Sequence, residues 1–246
     1  MGTLSHLAKT WLQWQLNTAQ EEAFRRYLDE LMAWNRRFNL TAIREPEEIL
    51  RKHFLDSLSV LTATGCLNGQ RVIDVGTGAG FPGLALKIAC PEMRLTLVES
   101  VRKKADFCRH IVSTLGMHDV VVIHARAEEV GQQQEHREVY DWAVARAVAR
   151  LPVLAEYLLP LVRLGGAMLA QKGETGPAEV QDAARALQVL GGEVEHVRAL
   201  TLPGITETRY LIVVRKQAAT PKAYPRRPGV PAKRPLRAKK TSSGGV

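Results

Sequence analysis

Short apolar runs alternate along most of the chain with segments whose apolar residues recur every three or four positions. Runs rich in valine and isoleucine are typical of buried strands, and the wider spacing is typical of amphipathic helices. The runs predict strands at 71–75, 95–99, 120–124, 141–145, 167–171, 193–200 and 208–214. The helical spacing predicts helices at 82–90, 102–115, 151–163 and 178–190. This alternation implies a parallel sheet with helices on both faces.

The last two predicted strands are joined by a short loop around residues 202–206. A parallel crossover needs roughly a dozen residues or more, so these two strands are expected to pair antiparallel. The pattern therefore predicts an α/β fold with a Rossmann-like sheet of seven strands, of which the last pair is antiparallel.

Residues 1–66 contain no strand pattern and predict helices only. Thr18 and Glu21 offer a capping box for a helix that ends near Phe38, and Pro46 suits the first turn of the next helix. We therefore expect a helical cap at 1–66, the main α/β unit at 67–217 and a tail at 218–246.

The loop after the first strand carries the strongest chemical signal. Gly76, Gly78 and Gly80 allow positive φ angles and a close approach of the backbone to a ligand. A dinucleotide fingerprint would place its third glycine where Phe81 stands, which disfavours a nicotinamide cofactor. Asp74 suits a cationic ligand such as the ammonium of S-adenosylmethionine, which it would face directly or through water. An ordinary structural turn is the alternative.

Two further strand ends fit parts of the same cofactor. Glu99 closes the second strand 25 residues after Asp74, about the distance at which a carboxylate meets ribose hydroxyls. After the third strand, the backbone of Ala127 and the carboxylate of Glu128 are placed to read an adenine amino edge. An exposed strand end is the alternative for Glu99.

His53 and Asp56 are three residues apart on a predicted helix, so their side chains could form a hydrogen bond with each other. A catalytic pair is one interpretation. An anchor for helix packing is favoured, because the pair stands beside apolar Ile49 and Phe54.

The positive charge is concentrated at the carboxyl terminus. The chain has a net charge of +9, and eight of its 34 basic residues but none of its 25 acidic residues follow Gln217. Five of the twelve prolines also lie there, so the tail is predicted to be non-helical. Basic groups including Arg226 and Arg227, with a stackable tyrosine, favour binding to nucleic acid over a disordered solubilising end.

Composition limits the protein class. A hydrophobic fraction of 46% with 24% charged residues is typical of a globular protein, and no apolar segment is long enough to span a membrane. We expect a cytoplasmic monomer without membrane association. The three cysteines have neither disulfide nor metal-site spacing, so they are expected to be packed thiols, and no metal site is predicted.

Several motifs together resemble the RsmG family, also called GidB, of bacterial small-subunit rRNA methyltransferases. They occupy residues 39–44, 53–57, 71–83, 99–104, 126–128, 145–147 and 171–173. The resemblance implies a class I methyltransferase fold and methyl transfer from S-adenosylmethionine to guanine N7 at position 527, in the 530 loop of 16S rRNA, within the 30S subunit or its precursor. It carries the family's cofactor contacts over to Gly76, Phe81, Ala127, Glu128 and Arg146.

The residues also argue against other methyl acceptors. Cytosine C5 methylation needs a cysteine beside the cofactor, and methylation of base amino groups typically uses an N/D-P-P-aromatic motif where this chain has residues 145–148. Guanine N7 has a free lone pair, so its methylation requires positioning more than a general base. We expect Arg146 and Lys172, which follow the fourth and fifth strands, to border the reaction centre, and Lys172 to contact substrate.

Two classes of protein remain as alternatives. A nicotinamide-dependent dehydrogenase would need the third glycine that Phe81 replaces. A non-catalytic RNA-binding protein would keep the basic tail but would not need Glu99 and Glu128.

Overall fold

The computed structural model describes residues 2–236 and contains the predicted mixed sheet of seven strands. The strands are β1 (Arg71–Val75), β2 (Arg94–Glu99), β3 (Val120–His124), β4 (Tyr140–Arg146), β5 (Val162–Lys172), β6 (Gly192–Leu200) and β7 (Arg209–Lys216). Their order is β3-β2-β1-β4-β5-β7-β6. β7 is antiparallel to both β5 and β6, which confirms the predicted antiparallel last pair.

Helices precede the sheet and cover both of its faces. They are α1 (Gly2–Leu12), α2 (Thr18–Phe38), α3 (Pro46–Ile49), α4 (Asp56–Leu58), α5 (Leu61–Thr64), α6 (Gly83–Ala89), α7 (Arg102–Thr114), α8 (Ala127–Val130), α9 (Leu151–Leu158), α10 (Gly176–Leu190) and α11 (Val230–Lys233). A π-helix at Leu50–Leu55 joins α3 to α4, and a 3-10 turn at Leu159–Leu161 follows α9.

Alternate residues of each strand enter two different apolar layers. Val72 and Leu97 pack with the amino-terminal helices (α1 to α5) and also with α6 and α7. Phe54 is fully buried in this layer. Ile73 and Met168 point to the other face and pack with α9 and α10. The amino-terminal helices therefore share one core with the sheet, and this fixes their position at the edge where the site lies.

Three local predictions need correction. The amino-terminal cap of α2 is Asn17, not Thr18, because the Asn17 side chain accepts from the Gln20 backbone while the Gln20 side chain accepts from Asn17. The predicted continuous helix after Pro46 contains the π-helix. The tail is not free of helix, since Gly229 (φ +82°) precedes α11 and Pro231 lies in its first turn, where proline is tolerated.

Two other predictions can be compared with the described residues. Cys90 and Cys108 are buried, as predicted for packed thiols, but Cys66 is exposed. Within residues 2–236, none of the helices is both long and apolar enough to cross a membrane. Residues 237–246 of the predicted tail lie outside the part that the structure describes.

Candidate active site

A cavity of about 580 Å³ lies at the carboxyl ends of β1, β4 and β5. In an open α/β sheet, ligands bind at this edge because successive loops converge there. The cavity brings together seven residues that the sequence singled out, namely His53, Asp56, Gly76, Gly78, Phe81, Arg146 and Lys172.

The glycine loop presents its backbone to this cavity. Gly76 has a φ of +71°, and a Cβ there would lie 2.6 Å from a methyl carbon of Val148. Gly78 has a φ of +61°, and its Cβ would meet no atom within 4 Å. The loop therefore needs glycine at Gly76 for both conformation and space, and it is open to a ligand at Gly78.

Asp74 lies beneath the glycine loop and is fully buried. Its Oδ2 accepts hydrogen bonds from Thr77 Oγ1 at 2.6 Å and from the Gly83 backbone N–H at 2.8 Å. Burial raises the pKa of this carboxyl to about 6, although both hydrogen bonds act in the opposite direction. Asp74 therefore holds the shape of the loop, and its contact with a cofactor stays a prediction.

Glu99 lies at the end of β2 with both carboxylate oxygens engaged by backbone. Oε2 accepts from the Gly78 N–H and Oε1 accepts from the Val101 N–H, each at 2.8 Å. A carboxylate oxygen has two lone pairs, so each keeps one acceptor site. Glu99 is buried and lines neither this cavity nor the second cavity described below, so its contact with ribose hydroxyls stays a prediction.

A second cavity, of about 220 Å³, adjoins the first. Ala127 and Glu128 line it, as do Val148 and Tyr157, and Gly76 lines both cavities. Glu128 is buried, and its Oε1 accepts from the Gly229 N–H at 2.8 Å. The residues predicted for adenine thus border this second cavity, and one oxygen of Glu128 is already bound by the carboxyl-terminal segment.

Arg146 joins the amino-terminal helices to the end of β4. Its guanidinium donates to Asp56 Oδ2 at 2.8 Å and to His53 Nδ1 at 3.2 Å. It also lies over the Phe81 ring, at 5.2 Å from the ring centroid. His53 and Asp56 are thus held together by Arg146, a partner that the sequence did not pair with them.

His53 is a neutral hydrogen-bonding link in this cluster. Burial and the charge of Arg146 lower its pKa to about 3. Because a guanidinium only donates, Nδ1 must accept, and the proton of the neutral ring lies on Nε2, which donates to Thr41 Oγ1 at 2.9 Å. The ring also stacks on Phe81, with centroids 4.7 Å apart.

Lys172 lines the larger cavity, but its charge is paired. Its ammonium lies 2.8 Å from Glu179 Oε2 and donates to the carbonyl of Ala149. Burial alone would raise the pKa of the Glu179 carboxyl. The hydrogen bonds from Lys172 and from the Leu151 backbone N–H have the larger, opposite effect, so this pKa lies below its usual range. Lys172 therefore reaches the predicted position as part of a buried ion pair.

Arg209 is a lining residue that the sequence did not single out. It begins β7, and its Nε lies 3.7 Å from Asp56 Oδ1. β7 also pairs antiparallel with β5, and this pairing brings the amino end of β7 to the carboxyl end of β5, where Lys172 pairs with Tyr210. The sequence predicted the antiparallel pairing of β7 with β6 but not its pairing with β5, so it did not locate Arg209 at the site.

Arg226 and Arg227 do not line the larger cavity. Arg226 forms a bidentate ion pair with the fully buried Glu156, at 2.8 Å from Nε and 2.6 Å from Nη2. Arg227 is exposed. Of these two predicted substrate contacts, only Arg227 presents an unpaired side chain within the described structure.

Comparison with known proteins shows the family to which this chain is similar along most of its length. The GidB family model, described as rRNA small subunit methyltransferase G, matches residues 20–208. A protein from Roseiflexus castenholzii named Ribosomal RNA small subunit methyltransferase G is 51% identical over 96% of this chain and 100% of its own. One of the same name from Desulforamulus reducens is 44% identical over 95% of this chain and 97% of its own.

Solved structures of lower identity share the fold. A SAM-dependent methyltransferase from Aquifex aeolicus superposes with a TM-score of 0.52 at 18% identity, covering 69% of this chain and 93% of its own. The [4+2]-cyclase SpnF superposes with a TM-score of 0.53 at 15% identity, covering 67% and 81%. Because these two proteins are named for different reactions, the fold alone does not fix the chemistry.

Proposed function

This chain belongs to the ribosomal RNA small subunit methyltransferase G family, and we propose that it transfers a methyl group from S-adenosylmethionine to N7 of the guanine at position 527, in the 530 loop of 16S rRNA. We propose the 30S subunit or its precursor as the substrate, and we propose that the enzyme works in the cytoplasm as a monomer.

The two adjoining cavities suit the two ends of the cofactor. Ala127 and Glu128 would hold the adenine in the smaller cavity, and Glu99 would bind the ribose hydroxyls. The methionine end would lie beyond Gly76 in the larger cavity, beside Arg146. The cofactor supplies an electrophilic methyl group on a sulfonium sulfur.

One observation carries the choice of acceptor atom, namely the pairing of the acidic groups in the larger cavity. Its two lining carboxylates, Asp56 and Glu179, are both bound to cations, and the low pKa of His53 makes the imidazole a poor base. Guanine N7 has no proton to lose, so its methylation needs no such base. The cavity therefore suits an acceptor that is positioned rather than deprotonated.

The charge of the larger cavity also favours an RNA substrate. Its described lining residues include five cations, namely Lys52, Lys104, Arg146, Lys172 and Arg209, against the two carboxylates. The excess positive charge suits a phosphate backbone. We propose that Arg146 orients the target guanine through O6 or a flanking phosphate, and that Lys172 supports this contact.

Single-turnover methylation of 30S particles or their precursors, at saturating cofactor, tests these roles. Arg146→Ala should lower the rate by about 10²-fold if positioning of the guanine is lost, and Lys172→Ala should also lower it. Arg163→Ala is the matched control, because Arg163 pairs with Asp141 where β5 begins, at the opposite edge of the sheet. Wild-type rates in both site variants would exclude this placement of the reaction centre.

A further inference from the structure

The carboxyl-terminal segment, residues 220–234, follows the sheet and folds back onto the body of the protein. Arg137 anchors its start, since its guanidinium donates to the carbonyls of Thr220 and Tyr224, each at 2.7 Å. Gln132 Nε2 donates to the Pro225 carbonyl at 2.6 Å. These anchors follow α8, so they belong to the same stretch of chain as Ala127 and Glu128.

The central contact of this segment is the ion pair between Arg226 and Glu156. The Arg226 backbone N–H also donates to Glu156 Oε1, at 2.9 Å, so three donors converge on one buried carboxylate. Such bidentate, charge-assisted contacts fix geometry as well as charge. Glu156 belongs to α9, one residue before Tyr157, which lines the smaller cavity.

Three residues later the segment reaches that cavity itself. The Gly229 N–H binds Glu128, and Ala232 is part of the cavity lining. Nearby, Pro225 lies so close to Gly131 that a Cβ there would be 2.7 Å from the proline ring. The segment thus closes one side of the smaller cavity and fixes one oxygen of Glu128.

We propose that the carboxyl-terminal segment forms a wall of the adenosine end of the cofactor site, and that Arg226 is a positioning residue that holds this wall in place. The inference rests on the proposed function, because it takes the smaller cavity as the adenosine subsite. It reassigns Arg226 from RNA contact to cofactor binding, since its charge is neutralised by Glu156.

Isothermal titration with S-adenosylhomocysteine and with 5′-methylthioadenosine tests the proposal on the full chain. Arg226→Ala should weaken both ligands by about tenfold, because the wall and Glu128 lose their fixed positions. Arg226→Lys keeps the charge without the bidentate geometry and should give a smaller loss. Arg234→Ala, an exposed arginine of the same segment, should change either affinity by less than about twofold.

Two further measurements separate positioning from a general loss of folding. Steady-state kinetics of Arg226→Ala should show a raised KM for the cofactor with an unchanged kcat at saturation. In the wild-type protein, S-adenosylhomocysteine should slow amide hydrogen exchange across residues 224–234, which include the Gly229 N–H.

The outcomes distinguish this proposal from the function on which it rests. Wild-type affinity in Arg226→Ala, or an unchanged exchange rate across residues 224–234, overturns the wall while leaving the methyltransferase assignment intact. A wild-type protein that binds neither ligand overturns the cofactor assignment itself.

Discussion

Arg146 connects the parts of the candidate site at the level of single residues. Its side chain extends from the end of β4 over Phe81, and its guanidinium donates hydrogen bonds to His53 and Asp56 of the amino-terminal helices. The amino-terminal helices therefore support the site directly and do more than cover the sheet. The effect of a single one of these neighbouring residues on the stability of the protein can be measured.

The first prediction concerns His53 and pH. Its folded pKa of about 3 lies below the usual 6.5, so the unfolded chain binds more protons between those values. The free energy of unfolding should therefore fall as the pH drops below 6.5, by about 2 kcal/mol between pH 7 and pH 5 from this group. Urea unfolding at several pH values measures the change.

Comparison with His53→Gln isolates this contribution. Glutamine can accept from Arg146 and donate to Thr41, but it does not titrate. The comparison is necessary because Asp74, with a raised pKa of about 6, stabilises the fold as the pH falls and acts in the opposite direction. Equal pH profiles for wild type and His53→Gln would contradict the prediction.

The second prediction concerns Glu99 as the ribose ligand. Glu99→Ala should weaken S-adenosylmethionine binding by about 1.5–3 kcal/mol, because a charged hydrogen-bonding partner is removed. Calorimetric titration measures the affinity, and circular dichroism serves as the control for folding. A folded variant that binds the cofactor with unchanged affinity would remove Glu99 from the site.

Sequence motifs were enough to locate the residues that lie at or close after strand ends beside the larger cavity. Gly76 directly follows β1, Phe81 lies further along the same loop, and Arg146 ends β4, so the order of the strands brings all three to one cavity. Glu156 and Arg209 could not be located in this way. Glu156 meets Arg226 across 70 residues, and such pairings depend on how separate segments pack.

At the scale of elements, the glycine loop is held by contacts on both of its sides. Tyr27 of α2 donates to the Ala79 carbonyl at 2.5 Å, and its ring stacks on Phe81 at 5.3 Å. The loop is therefore held from above by the amino-terminal helices and from below by Asp74.

The third prediction uses two glycines with similar backbone angles. Gly76→Ala and Gly69→Ala both place a Cβ at positive φ, +71° and +75°, so each should lose about 1–2 kcal/mol of stability. Only Gly76→Ala also places the Cβ 2.6 Å from Val148, between the two cavities. It alone should lose cofactor affinity. Thermal unfolding measures the stability of both variants, and ligand titration measures their cofactor affinity. If Gly76→Ala and Gly69→Ala bind the cofactor with equal affinity, this role of the loop is contradicted.

The elements themselves were predicted better than their irregularities. β1 and β3 have their predicted bounds, because valine-rich runs between turns define strands clearly. The π-helix at Leu50–Leu55 was missed, since its residues suit an α-helix equally well. His53 within it accepts a hydrogen bond from Arg146, a tertiary contact that the local sequence does not reveal.

At the scale of the whole molecule, the described part of the basic tail packs against the body of the protein. Residues up to Leu236 include contacts with the body, whereas residues 237–246 lie outside the described structure. The sequence predicted a polyanion-binding arm because proline, arginine and lysine dominate this region. It could not reveal that Glu156 neutralises Arg226, because the carboxylate lies far away in the sequence. The division into cap, methyltransferase unit and tail stays a prediction.

The fourth prediction tests the outer part of the tail. Deletion of residues 237–246 removes Arg237, Lys239 and Lys240 and should flatten the salt dependence of RNA binding, by about 0.7 log units for each phosphate of single-stranded RNA that the protein no longer neutralises. Cofactor affinity should stay unchanged, because residues 220–234 are retained. Filter binding at several salt concentrations measures the slope. An unchanged slope would mean that these charges do not bind RNA.

The most direct test of the proposed function is mass spectrometry of 16S rRNA digests from cells with and without this gene. Cells that carry the gene should contain N7-methylguanine at position 527, and cells that lack it should contain unmodified guanine there. Restoring the gene should restore the methyl group, and restoring the Arg146→Ala variant should leave most of the guanine unmodified. Full methylation at position 527 without the gene, or loss of a methyl group at another position only, would contradict the proposed function.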